Sequence, residues 1–154
     1  MSKKGRIITG IIIAVIVVLG GGYLFASHAV AQKVPGHVYQ YTSVSKNQNA
    51  YMAFSKSGDQ VVVTPSKEKA LEANSNSNSF QKVYQEQSKD GQWNYRAKGS
   101  KLTLTKTQNN QTSLWQYNRV LALGKAMHSG SFTYQIANAG QGIVHKGTSF
   151  KQVQ

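Results

Sequence analysis

The feature that most constrains this chain is an unbroken apolar stretch, residues 7–26 (IITGIIIAVIVVLGGGYLFA), interrupted only by Thr9. As a helix rising 1.5 Å per residue, such a stretch reaches about 30 Å, the hydrocarbon thickness of a bilayer. Lys3, Lys4 and Arg6 precede it, and positive flanks stay on the cytoplasmic side. The expected organisation is therefore a basic cytoplasmic tip at 1–6, a single transmembrane helix or uncleaved signal anchor at 7–26, a linker at 27–36, and an extracytoplasmic domain at 37–154. The expected location is the cell membrane, crossed once, with the C-terminal domain outside.

A second reading of the same stretch concerns cleavage. Ala29-Val30-Ala31 is a small-x-small pattern that signal peptidase accepts, so Ala29 and Ala31 mark a candidate site with the cut before Gln32. Gly20-Gly21-Gly22 would end a core of ordinary signal-peptide length, but Tyr23-Leu24-Phe25 resumes the apolar run and carries it past that length. Length favours a retained anchor; a cut after Ala31 would make the chain a secreted factor. A lipoprotein is excluded because the chain has no cysteine, and a pilin-like segment because no acid lies inside the apolar start.

Absence of cysteine also removes disulfides, thiolate metal sites and a cysteine nucleophile. The exported domain must hold itself together by core packing alone. Charge is lopsided, with 18 Lys and Arg against 5 Asp and Glu. Three of the bases precede the apolar run, so the remainder carries 15 against 5, a surplus of ten. A surface like that is drawn to polyanions. Outside a cell these are anionic wall polymers and lipid headgroups; nucleic acid is not the expected partner. The bases are spread singly rather than in a run.

Past Pro35-Gly36 the pattern becomes short alternating stretches separated by turn residues. Strands are expected at 37–44 (HVYQYTSV), 51–56 (YMAFSK), 60–64 (QVVVT), 80–86 (FQKVYQE), 92–97 (QWNYRA), 102–105 (LTLT), 114–123 (LWQYNRVLAL), 131–137 (SFTYQIA) and 143–150 (IVHKGTSF). Ser57-Gly58-Asp59, Asp90-Gly91 and Asn138-Ala139-Gly140 read as turns. One short helix is expected near 66–73 with Ser66 as N-cap, followed by a polar surface loop at 74–79 (NSNSNS), and 124–130 (GKAMHSG) reads as a second loop. The fold class is thus all-β: one antiparallel barrel or sandwich of about eight strands.

The stretch Trp93-x-Tyr95-x-x-x-Gly99-x-x-Leu102-Thr103-Leu104-Thr105 resembles hairpin repeats in the lipocalin-like domains of small membrane-anchored extracytoplasmic proteins of Gram-positive bacteria. The Gly-x-Trp of lipocalin first strands is absent, so the resemblance implies a hairpin-built β fold only, with barrel closure and an internal ligand cavity left open.

Chemistry is sparse. The acids are Asp59, Glu68, Glu72, Glu86 and Asp90, two of them in turns and two on the expected helix, so no converging carboxylate pair is indicated. His28, His37, His128 and His145 lack the spacing of a compact metal site. There is no Gly-x-Ser-x-Gly elbow, and Gly140-x-Gly142 followed by Gly147 misses the dinucleotide spacing. No catalytic residue, metal or cofactor is expected. Trp115, Tyr117 and Arg119 are the candidate ligand or partner contact, because aromatic and basic types alternate there as on a stacking platform. The expected function is a non-enzymatic binding module of the cell envelope whose basic surface engages wall polymer or headgroups. The alternative is an accessory subunit docking on a larger envelope protein complex.

Overall fold

A computed structural model describes residues 28–42 and 49–154. After a short helix α1 (Val30–Lys33) come strands β1 (Val38–Thr42), β2 (Asn49–Phe54) and β3 (Val61–Thr64), then helices α2 (Lys67–Ser75) and α3 (Ser77–Ser88). Eight further strands complete the chain: β4 (Gln92–Lys98), β5 (Lys101–Gln108), β6 (Gln111–Asn118), β7 (Leu121–Leu123), β8 (Ala126–Ser129), β9 (Ser131–Ile136), β10 (Gly140–Val144) and β11 (Thr148–Gln152). They form two antiparallel sheets, ordered β3-β2-β1-β11-β8-β7 and β10-β9-β6-β5-β4. The sheets do not close into one continuous ladder. Along one side they touch through the lone bridge Gln60–Asn94 and the bond from Tyr95 N–H to the Asp59 carbonyl, 2.6 Å.

Period-2 alternation decides what lies between the sheets. Tyr39, Met52, Phe54 and Val61 face inward from the first sheet, and Tyr95, Leu102, Leu104 and Tyr117 face them from the second. Their neighbours Val38, Ala53 and Val62 point the other way, onto Ala70, Ala73, Phe80, Val83 and Tyr84 of α2 and α3. The first sheet is therefore covered on both faces, and the domain has three layers: helices, first sheet, second sheet.

The helical layer corrects two expectations. The helix with its Ser66 cap forms as read, Ser66 Oγ accepting from Lys69 N–H at 3.2 Å. The polar stretch 74–79, however, is no free loop, and 80–86 is no strand. Asn76 caps a second helix, its Oδ1 accepting from Ser79 N–H at 2.9 Å. Phe80, Val83 and Tyr84 then fall at i, i+3 and i+4 on one buried face. One turn on, the Gln87 amide accepts from Val63 N–H at 2.6 Å, so the helix covers the outer edge of β3. The all-β expectation thus becomes a β sandwich with a helical layer.

Strand count rises from about eight to eleven because the chain bends where the sequence reads as continuous. Stretch 114–123 breaks at Arg119, whose φ is +52°, and passes from the second sheet to the first. Its antiparallel partner returns through Gly130, whose N–H donates to the Asn118 carbonyl at 3.0 Å. Residues 126–129, expected in a loop, are the strand that pairs β7 with β11. Stretch 143–150 likewise splits into β10 and β11, one in each sheet. Among the described residues no helix is long and apolar enough to cross a membrane; the span expected at 7–26 lies outside them.

With no disulfide available, truncating the inter-sheet core should be severe. Phe150→Ala, at a fully buried ring, is expected to lower unfolding free energy by about 3–5 kcal/mol. Leu123→Ala, at a side chain 60% exposed, should change it by under about 0.5 kcal/mol. Urea unfolding of both variants checks the contrast.

Candidate functional site

The site is built outward from α1. Ala29-Val30-Ala31-Gln32-Lys33-Val34 has the composition for one helical turn, and Pro35 followed by Gly36, at φ +74°, ends it. Lys33 N–H donates to the Ala29 carbonyl at 2.9 Å, and Val34 N–H to that of Val30 at 3.1 Å. Ala29, Val30 and Val34 drop into the inter-sheet core. Tyr39 O–H donates to the Lys33 carbonyl at 2.9 Å, and Lys33 Nζ donates to that of Gly124 at 3.0 Å. The helix therefore stops one end of the sandwich, packed on β4 and β7. The linker expected at 27–36 is corrected over its described part, residues 28–36: this segment belongs to the domain because three of its side chains complete the core.

Positive charge collects at the two turns that flank β7. Lys98 and Lys101 are cross-strand partners at the β4–β5 turn. Val120 N–H donates to the Ser100 carbonyl at 2.8 Å, which brings Arg119 to that turn. Lys125 follows Gly124, the residue that Lys33 reaches. Lys98, Lys101, Arg119 and Lys125 are exposed, and Lys33 is half-buried.

All five acids lie between Asp59 and Asp90, and the stretch from Gly91 to Gln154 holds eight bases and no acid. The salt bridges among the described residues, Lys69–Glu86 at 3.7 Å and Lys82–Glu72 at 3.9 Å, both tie α2 to α3. The helical layer is thus near neutral, while Lys98, Lys101, Arg119 and Lys125 form no salt bridge among the described residues.

The three residues expected to form one contact are separated. Arg119 stands beside the β4–β5 turn, its guanidinium lying against Gly130, where a Cβ would meet its Nε at 3.1 Å. Tyr117 is 4% exposed and packs edge-on against Phe150, ring centres 5.0 Å apart. Its expected surface role is corrected, because the face it shares with Trp115 is the inward one. Trp115 is half-buried and stacks on Trp93 at 5.3 Å, with Lys106 Nζ 5.8 Å from the Trp93 ring centre. Sequence reading missed Trp93 and Lys106 as its companions. Both sit one strand or more away, and only the register of β4, β5 and β6 places them side by side. Of the two cleavage-site alanines, Ala29 is 6% exposed and Ala31 is exposed.

Titration is suppressed in this core. Burial pushes the Tyr39 phenol up to about 12, and burial also raises Tyr41 and Tyr95 and lifts Tyr117 well above its ordinary value. These hydroxyls stay neutral under physiological conditions and fix geometry rather than move protons. Among the described residues no three His, Asp or Glu side chains stand close enough to hold a metal ion. The chemistry the basic turns can offer is attraction and hydrogen bonding through ammonium and guanidinium groups.

No protein-family model matches this chain, and no curated protein or solved structure is detectably similar to it.

The raised Tyr39 pKa gives a signed expectation. An unfolded tyrosine ionises near 10, so folding holds a proton that the unfolded chain releases. Stability should be whole below about pH 10 and fall as pH climbs toward about 12. Tyr39→Phe should show a shallower fall, measured by urea midpoints across that range. A slope as steep as that of the unmutated protein would count against the shift.

Proposed function

We propose that this protein is a membrane-tethered extracytoplasmic binding module whose basic surface is held against the envelope, where it engages anionic headgroups or wall polymer. One observation carries the reading. Among the described residues the folded core starts at Ala29, three residues beyond Ala26, where the apolar run ends. Three residues span at most about 10 Å, so a helix anchored at 7–26 would leave little slack between bilayer and domain. The helix that follows such an anchor, α1, carries Lys33, whose Nζ reaches the Gly124 carbonyl beside the exposed Lys125. Each Lys or Arg near an anionic surface contributes about 1 kcal/mol, falling off within a Debye length.

The placement of Ala29 and Val30 also supports retention over release. A cut after Ala31 would remove one side chain that is fully buried and another that is nearly so, and would sever α1 in its middle. A secreted chain beginning at Gln32 would leave the end of the sandwich open to water. Binding rather than catalysis is the favoured role because the exposed groups of that surface carry charge without a paired acid or base.

Two measurements test this. The protein purified from membranes of its host should have the mass of an uncleaved chain; a chain starting at Gln32 in the medium would sink the tether. The detergent-solubilised full chain should bind isolated cell walls or anionic vesicles at low salt and lose most of that binding by 0.15 M. Replacing Lys98, Lys101 and Arg119 together by Gln should weaken low-salt binding on the order of a hundredfold, at about 1 kcal/mol per charge. Salt-independent binding, or none, would remove the basic surface from the function.

A further inference from the structure

Where the β2–β3 turn meets the helical layer, the two enclose a cleft of about 140 Å³, room for several water molecules. Ala73 and Phe80 give it an apolar wall, and its rim is polar. Two helix ends meet at it. The last residues of α2 and the first of α3 adjoin at Asn76, and Asn74, Ser75 and Ser77 line the opening. An α-helix leaves its first N–H groups and its last carbonyls without partners inside the helix. Asn76 serves Ser79 N–H and Ser75 Oγ serves the Glu72 carbonyl. The junction therefore presents donors from one helix beside acceptors from the other.

A second, independent observation points to an occupant. Ser55 lines this cleft and is 6% exposed, and its Oγ has no hydrogen-bond partner among the described residues. Alternation fixes where it aims. The Phe54 ring belongs to the inter-sheet core, so the next side chain emerges on the opposite face, toward α2 and α3. A buried hydroxyl without a partner is a liability that folds ordinarily avoid. The next residue, Lys56, is exposed and supplies the one charge among the lining residues.

We infer that this cleft binds the phosphate ester of a small polyol. Its phosphate sits between Lys56 and the N-terminal amides of α3, and its hydroxyls meet the α2 carbonyls, with Ser55 as the donor at the floor. The 12-residue α3 supplies the positive end that favours an anion, and the cation draws it in. The volume exceeds what a bare ion fills, which is why the ester and its hydroxyls are specified. Nothing here depends on the tether or on the turns that flank β7, so either reading can fail without the other.

Calorimetric titration of the detergent-solubilised full chain with glycerol 3-phosphate at low salt tests the inference, with inorganic phosphate and glycerol as the two half-ligands. Saturable one-to-one binding is expected, tightest for glycerol 3-phosphate and weakest for glycerol. Lys56→Met should weaken it by about tenfold, the loss of one charge-assisted hydrogen bond. Ser55→Ala should weaken it by about fivefold, and Lys146→Gln, at an exposed base outside the lining, should leave it unchanged. The inference is overturned by an absence of saturable heat, or by equal losses in Lys56→Met and Lys146→Gln, which would mean diffuse charge. It is also overturned if Ser55→Ala raises the thermal midpoint while leaving affinity untouched, because the hydroxyl would then be an unmet polar group and nothing more.

Discussion

Everything in this domain hangs on the aromatic packing between its two sheets. Tyr39 meets Phe54 edge-on at 6.0 Å, Phe54 meets Tyr95 at 4.9 Å, and Phe150 meets Tyr117 at 5.0 Å. Rings arranged this way add about 0.5–1.5 kcal/mol per pair beyond the area they bury. A chain without cysteine has no covalent staple to substitute for them. The polar tips of two rings then anchor backbone that the sheets do not pair: Tyr39 holds Lys33 and Tyr95 holds Ser55, at 2.9 and 3.1 Å. Those two bonds tie the core to α1 and to the β2–β3 turn.

That arrangement explains why the polar features lie where they do. The Val120–Ser100 bond holds the bend at Arg119 to the β4–β5 turn and so brings Lys98, Lys101 and Arg119 together, while Lys33 of α1 reaches the β7–β8 turn at the other end of β7. Three of the five acids, Glu68, Glu72 and Glu86, belong to the helical layer on the far side of the first sheet, and Asp59 and Asp90 lie in the turns after β2 and after α3. The helical acids are therefore kept from the β4–β5 turn by the three-layer order. The helix junction is fixed by the same order: β2 leaves the first sheet at Ser55, directly beneath the point where α2 hands over to α3.

Much of the domain is legible in the sequence. Strands 92–97 and 102–105, the Asp-Gly turn and the Ser66 cap form as read, because alternation and local hydrogen-bond chemistry act over a few residues. The misreadings have one common source. Residues 80–86 carry both a rough alternation and a helical i, i+3, i+4 face, and only the waiting surface of Val38, Ala53 and Val62 selects the helix. The stretch 114–123 looks like one strand because nothing local reports that it must turn a corner between sheets. Trp115 and Tyr117 read as a contact surface since alternation gives two faces without saying which is wet.

The sequence by itself determined the apolar span, the sign and size of the charge, the lack of thiol chemistry and the β-rich character. Each of these is a property of composition or of short-range periodicity. Tertiary structure alone decided which face of each strand is buried, that residues 29–34 close the core instead of linking to it, and that Lys98, Lys101 and Arg119 meet at one turn. Those outcomes rest on pairings between segments tens of residues apart, such as β1 with β11 and β6 with β9. No local pattern encodes them, because their free energy exists only once both partners are in place.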